Sequence, residues 1–133
     1  MKINKLIHLT PSKENNFAKI DKDIPKNGGV YFLYDADMEL IYIGKSKNIR
    51  SRIQQHTTDN ENSRLSCDDD DTIVSYGYGT CIPLGIVKFY SCIVEEDEDK
   101  RTMMELFFLH IIKTPFNLCD KRKAIENYFK EKL

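Results

Sequence analysis

Gly29-Val30-Tyr31-Phe32-Leu33-Tyr34, then Asp35-Ala36-Asp37, then Leu40-Ile41-Tyr42-Ile43-Gly44-Lys45-Ser46 is the stretch whose reading decides the fold. The β-branched and aromatic run over 30–34 reads as a strand, and the Asp-Ala-Asp cluster after it reads as a turn. Residues 40–43 form a second strand that ends at Gly44. Two strands joined so closely predict an antiparallel hairpin. Tyr31 and Tyr42 lie eleven residues apart, which makes them cross-strand neighbours on that hairpin. Ser46 then reads as the N-cap of a helix through Gln55 or His56. On such a helix Asn48, Arg52 and His56 recur at i, i+4 and i+8 and share a face, with Lys45 at its mouth. Backbone N–H groups at a helix start, joined by lysine and arginine, suit a phosphate group.

Outward from the hairpin the pattern alternates between short strands and helices. Residues 1–28, punctuated by Pro11, Pro25 and Gly28-Gly29, read as an irregular or strand-like lead-in. Residues 57–80 are polar and read as a long loop, of a length more often functional or mobile than structural. Within it Tyr76-Gly77-Tyr78-Gly79 could offer a stacking platform for bases, although a plain loop is the commoner meaning of such a run. Residues 86–94 are a strand. Residues 98–112 form a helix that stops before Thr114-Pro115, as chains do ahead of a proline. Asp120 caps a last helix, with Ile125, Tyr128, Phe129 and Leu133 on one face. The chain therefore predicts an α+β fold with a small three-stranded antiparallel β-sheet flanked by helices. Its organisation is a lead-in at 1–28, a core at 29–118 holding the 57–80 loop insertion, and a C-terminal basic helix at 119–133.

Composition narrows the functional classes. With 133 residues and 41% hydrophobic content the chain has room for one domain with a real core. Its longest apolar run, Leu106-Phe107-Phe108-Leu109, falls far short of the roughly 20 residues that span a bilayer. The N-terminus has no apolar signal core. Cys67, Cys81, Cys92 and Cys119 contain no Cys-x-x-Cys pair, so buried reduced thiols in a soluble cytoplasmic protein are expected. The net charge of -1 speaks against a nucleic-acid binder, yet it is an average. Residues 1–56 carry +4, residues 57–99 carry -9 and residues 100–133 carry +4. Most of the negative charge sits in Asp68–Asp71 and Glu95–Asp99. The second run precedes a helix, where carboxylates meet the positive end of the macrodipole. Gly44-Lys45-Ser46 ends like a P-loop, but that motif needs a glycine where this chain has Glu39.

The Gly-Val-Tyr and Tyr-Ile-Gly triplets, their spacing, and the Gly-Lys-Ser-x-Asn-Ile-x-x-Arg continuation resemble the signature of the GIY-YIG endonucleases. Met103-Met104-Glu105-Leu106 resembles the family's helix with its metal-binding glutamate, and Thr114-Pro115-Phe116-Asn117 its closing segment. The resemblance covers about residues 29–118. It implies a metal-dependent endonuclease that hydrolyses DNA phosphodiester bonds, one strand per active site, by in-line attack of water. It further implies that Glu105 binds one Mg2+ or Mn2+ ion, and that Arg52 holds a phosphate oxygen and stabilises the transition state. Tyr31 and Tyr42 would bind phosphate or position the water, one of them as general base with Lys45. That role needs a phenol pKa depressed from about 10 by Lys45, Arg52 or the metal. The resemblance makes His56 a second candidate for the base. Lys45, Lys47, Asn48, Arg52 and Asn117 would contact substrate or, for the two asparagines, tie down the helix start and orient a tyrosine or loop. DNA is the implied partner, with a second copy of the chain or another protein supplying specificity.

Plainer readings stand beside these. Tyr31 alone would be a core residue, and Arg52 and Lys45 alone would be surface charges. Glu105 could pair with Arg101 one turn earlier. As the sole charge between Thr102 and Leu109, however, it is costly to bury without a cation. Met103 and Met104 read as core packing. His8 and His110 join no constellation. The rival to an enzyme is an inactive nucleic-acid-binding module of the same fold.

Overall fold

The computed structural model of the chain describes residues 7–8, 24–57, 64–67, 72–75, 82–83, 85–117 and 120–132. Their order is β1 (Ile7–His8), β2 (Gly29–Tyr34), β3 (Leu40–Ser46), α1 (Ile49–Thr57), β4 (Arg64–Cys67), β5 (Thr72–Ser75), β6 (Phe89–Val94), α2 (Glu98–Ile111), a 3-10 turn (Pro115–Asn117) and α3 (Lys121–Lys132). Strands β6, β2 and β3 form the antiparallel three-stranded sheet expected from the sequence, with β2 in the middle. The two-residue β1 adds a short edge strand beside β6.

Alternation along β2 explains the layers, since successive side chains leave a strand on opposite faces. Tyr31 and Leu33 belong to one buried cluster with Ile24, Ile49, Ile53, Phe116, Ile125 and Tyr128, which ties the sheet to α1 and α3. Val30 and Phe32 belong to a second cluster with Ile43 and Phe108, backed by Met104, Leu109 and Ile112 of α2. The Phe32 and Phe108 rings meet edge to face at 5.1 Å, a favoured aromatic geometry. Burial of β2 on both faces fixes its register, because a one-residue slip would exchange the two clusters.

The hairpin turn is held from within and from the C-terminal helix. Asp35 Oδ1 accepts the N–H groups of Asp37 and Glu39 at 2.9 and 3.0 Å. Met38 takes a left-handed conformation at φ 65°, and a register shift between Leu33 and Tyr34 absorbs the extra residue. Tyr128 donates its hydroxyl to Asp35 Oδ2 at 2.8 Å, and Lys132 Nζ reaches Asp35, Asp37 and Glu39 at 3.0, 3.0 and 2.7 Å. Burial would raise the Asp35 pKa, but the hydrogen bonds from Tyr128 and Lys132 outweigh it and hold the carboxyl below its ordinary value.

Several sequence expectations are revised. The N-cap of α1 is Asn48, whose Oδ1 accepts Ser51 N–H at 3.0 Å; Ser46 Oγ instead accepts Asn48 N–H, turning the chain into the helix. The 57–80 stretch contains the antiparallel pair β4–β5, since its β-branched run at 72–74 finds a partner at 65–67 that a single-strand pattern does not announce. Tyr76–Gly79 and the Asp68–Asp71 run lie outside the described residues. Met104 packs on the sheet, but Met103 is 69% exposed, and Leu106, Phe107 and Ile111 share its exposure along α2. Phe129 is exposed beside a buried Tyr128, so the apolar face of α3 runs through Ala124, Ile125 and Tyr128. Cys92 is a free, buried thiol, while Cys81 and Cys119 fall outside the described residues. Asp120 caps α3 as expected, accepting Lys123 N–H at 3.0 Å. Asp97, within the second acidic run, caps α2 through Lys100 N–H at 2.9 Å.

Candidate active site

Tyr31 sits on the central strand directly opposite Gly44, and Tyr42 sits opposite Leu33. The two tyrosines are thus diagonal neighbours on one face of the sheet, with ring centroids 6.1 Å apart. Gly44 makes the arrangement possible. A Cβ there would lie 2.4 Å from the Tyr31 ring and hydroxyl, so the phenol can lie across the strand only where no side chain stands. Helix α1 closes over this face. Ile49 and Ile53 are buried in the core, and the same winding directs Arg52 and His56 at the tyrosines. The Tyr31 hydroxyl and His56 Nε2 share a 2.8 Å hydrogen bond, and the His56 ring lies 4.8 Å from that of Tyr42.

Electrostatics separate the members. Tyr31 and His56 are each 1% exposed. Burial drives the Tyr31 pKa well above its ordinary value; Tyr42 and Glu105 add to this, and the Arg52 charge and hydrogen bond only oppose it. A general-base role for Tyr31 needs a depressed phenol, and the surroundings of this one act the other way, because desolvation of a buried phenolate outweighs one nearby guanidinium. Burial, followed by the Arg52 charge, pushes His56 down to about 3, so the imidazole is neutral. Its Nδ1 is buried with no hydrogen-bond partner among the described residues. Arg52 also donates to Gln55 Oε1 at 2.7 Å.

Glu105 reaches the same neighbourhood from α2, on the other side of the sheet. The connection is the edge strand β3, whose outward backbone groups lack a partner strand and take side chains in its place. The charge and backbone N–H of Lys45 both act on the Glu105 carboxylate and favour its charged form. Asn117 accepts Ile43 N–H at 2.9 Å and donates to Ile43 O at 2.8 Å, with Thr114 also donating to its Oδ1. Both ends of the Asn117 amide thus hold the peptide groups between Tyr42 and Gly44. Lys45 Nζ donates to Thr102 Oγ1 at 2.7 Å. The pairing of Glu105 with Arg101 does not form, because Arg101 turns toward the carbonyls of Glu95 and Glu96. Burial raises the Glu105 pKa, against the charge and N–H of Lys45. A half-buried carboxylate without an ion pair among the described residues is what a divalent cation would relieve. Among the described residues no group of three acidic, histidine or cysteine ligands gathers around it. One carboxylate with substrate phosphates and waters is a donor set that suits magnesium.

Six of the expected catalytic residues thus fall into two connected groups, Tyr31, Tyr42, Arg52 and His56 on the α1 face and Lys45 and Glu105 at the β3 edge. Asn48 and Asn117 hold backbone, and Lys47 is exposed at the end of β3. Arg101 is read from the sequence only as a partner for Glu105, and Thr102 is not singled out there; their one signal is their position within a turn of Glu105. No described helix is long and apolar enough to cross a membrane.

The family model described as the GIY-YIG catalytic domain matches residues 27–133. Over 50 residues the chain is 42% identical to the UvrABC system protein C of Cytophaga hutchinsonii, covering 38% of this chain and 8% of that protein. The protein of the same name from Acaryochloris marina is 49% identical over 35 residues, 26% of this chain and 6% of the relative. That from Borrelia duttonii is 40% identical over 42 residues, 32% of this chain and 7% of the relative. The chain spans less than a tenth of the length of these relatives. No solved structure matches. A family match that runs from the start of the hairpin through α3 means that this chain belongs to the GIY-YIG family of nucleases.

Proposed function

We propose that the chain is a divalent-metal-dependent endonuclease that hydrolyses phosphodiester bonds of DNA, one strand per active site, by in-line attack of water. The observation that carries this reading is the meeting of Tyr31, Tyr42, Arg52 and His56 on one sheet face, with Glu105 at the adjoining strand edge, where Lys45 acts on its carboxylate.

Arg52 holds a non-bridging oxygen of the scissile phosphate with its fork and stabilises the charge that builds there. Tyr31 and Tyr42 orient the attacking water. Tyr31 is a neutral phenol hydrogen-bonded to a neutral imidazole, so the pair fixes the phenol that orients the water, and the proton leaving the water passes to solvent because a His56 held at about 3 does not keep it. Lys45 adds a cation at the mouth. Glu105 would hold one Mg2+ or Mn2+ ion, which when bound supplies charge stabilisation at the scissile phosphate and leaving oxygen. Asn117 and Asn48 act through the backbone they fix, Asn117 setting the segment that carries Tyr42 and Gly44. DNA is the substrate and partner, and a second copy or another protein supplies specificity to a chain of such weak net charge.

The test is nicking of supercoiled plasmid with magnesium or manganese against a chelator control. Metal-dependent nicking that disappears in Arg52→Ala and Glu105→Ala supports the proposal. A wild type that leaves plasmid, single strands and branched DNA intact while still binding them makes the chain an inactive nucleic-acid-binding module.

A further inference from the structure

Beside the catalytic face, between the end of β3 and the first turns of α2, lies a cavity of about 160 Å³ lined by Lys45, Ser46, Lys47, Glu98 and Arg101. Three of its five lining residues are cations and one is an acid. Arg101 is the unusual member. It is 9% exposed, it is tied by Nη1 to the Glu96 carbonyl at 2.9 Å and the Glu95 carbonyl at 3.4 Å, and it makes no ion pair among the described residues. Glu96 is engaged with Gly28 N–H at 2.8 Å and Asp97 with Lys100 N–H at 2.9 Å, while Glu98 lines the cavity without an ion pair to Arg101 among the described residues. Gly28 leaves the space the guanidinium occupies, since a Cβ there would come 2.7 Å from Nη1. A guanidinium this buried is normally matched by an anion, and here its hydrogen bonds go to carbonyl dipoles, with one acid, Glu98, set against three cations in the lining.

We infer that this cavity is a second phosphate subsite, formed by Arg101, Lys47 and Lys45, for a backbone phosphate of the DNA strand being cut. The inference rests on the nuclease reading and adds to it a substrate contact outside the reacting centre. Arg101 precedes Glu105 by one turn of α2, about 6 Å of helix. A DNA strand repeats its charge about every 3.4 Å of axis, so the phosphate engaged lies one or two nucleotides from the scissile bond. Lys45 joins the two positions, since it acts electrostatically on Glu105 and also lines the cavity. Such a contact sets the register of the strand and carries no base information.

The experiment measures binding of a short duplex by the full chain in chelator, between 50 and 200 mM salt, alongside plasmid nicking with magnesium. Lys47→Ala is expected to weaken binding about tenfold at the lowest salt and to reduce the salt slope by about 1. Lys47→Glu is expected to weaken it further, and Glu98→Gln, which removes the one acid from the lining, to tighten it. Replacing phosphates one at a time by neutral methylphosphonates is expected to find one position where wild type loses affinity and Lys47→Ala loses nothing more. Arg101→Gln belongs in the series with a folding check, and the Lys47 and Glu98 variants stand if it fails to fold. A wild type that nicks plasmid, with duplex binding indifferent to all the Lys47 and Glu98 changes, overturns the subsite and leaves the nuclease. Binding that responds as expected without any nicking keeps the subsite and removes the nuclease. Wild type that binds no duplex overturns both.

Discussion

Tyr31 and Gly44 face each other across the β2–β3 hairpin, and the phenol of one occupies the volume a side chain on the other would need. The glycine of the Tyr-Ile-Gly triplet and the tyrosine of the Gly-Val-Tyr triplet are thus one structural unit. Gly44→Ala should push the Tyr31 ring off His56, costing about 1–3 kcal/mol through overpacking. Nicking should fall by more than that loss of stability accounts for. Chemical denaturation alongside plasmid nicking checks both, and a variant of native stability and native rate contradicts the close contact.

Arg52 is proposed to act by its fork and its charge together. Arg52→Lys keeps the charge but loses the paired donors, and should slow nicking about 10²-fold; Arg52→Ala should do so at least as severely. Equal rates for wild type and Arg52→Lys would mean that a point charge is all the site needs.

The hydrogen bonds of the Asn117 side chain hold the Ile43 peptide groups between Tyr42 and Gly44. Asn117→Ala leaves a part-buried N–H and carbonyl without partners and should cost about 1–3 kcal/mol. Nicking should drop, with the loss mainly in kcat. Asn117→Asp restores the acceptor for Ile43 N–H and not the donor for Ile43 O, so it should rescue only partly. Melting temperature and single-turnover rates distinguish these outcomes.

His56 predicts a pH dependence of stability. Its folded pKa, about 3, lies below the ordinary 6.5, so the unfolded chain binds the extra proton between those values. The stability it contributes is present in full above pH 6.5 and falls as pH drops toward 3, with a slope of up to about 1.4 kcal/mol per pH unit. His56→Gln should flatten that part of the profile. Denaturant melts at pH 7, 6, 5 and 4 measure it. Parallel profiles for the two proteins would show that the imidazole is not buried neutral.

Tyr128 and Asp35 connect α3 to the hairpin turn through a 2.8 Å hydrogen bond. Tyr128→Phe should lower stability by about 1–3 kcal/mol at neutral pH, because a buried carboxylate loses a donor. The Asp35 pKa is held low, so its contribution exists above the unfolded value near 3.8 and disappears as pH falls through the folded one. The difference between wild type and Tyr128→Phe should therefore shrink in strong acid, as read by thermal melts at pH 7 and pH 2.5.

The periodicity of the sequence determined the β2–β3 hairpin, β6, α2 and the capped α3, because alternation and helical spacing are local properties of the chain. It also brought Tyr31, Tyr42, Arg52 and His56 forward by residue type and spacing, while Glu105 came forward through the resemblance to the GIY-YIG endonucleases. Other features depended on partners distant in the chain. The β4–β5 pair, the edge strand β1 and the exposure of Met103 each follow from what packs against them. The same holds for Arg101, whose interest comes from facing carbonyls 5 and 6 residues earlier and a glycine 73 residues earlier. The sharpest division concerns protonation. Sequence named the tyrosine and histidine, but only the tertiary structure decided that both are neutral. Burial between the sheet and α1 removes the water that would solvate a phenolate or an imidazolium, and that loss exceeds what the one arginine beside them can offset.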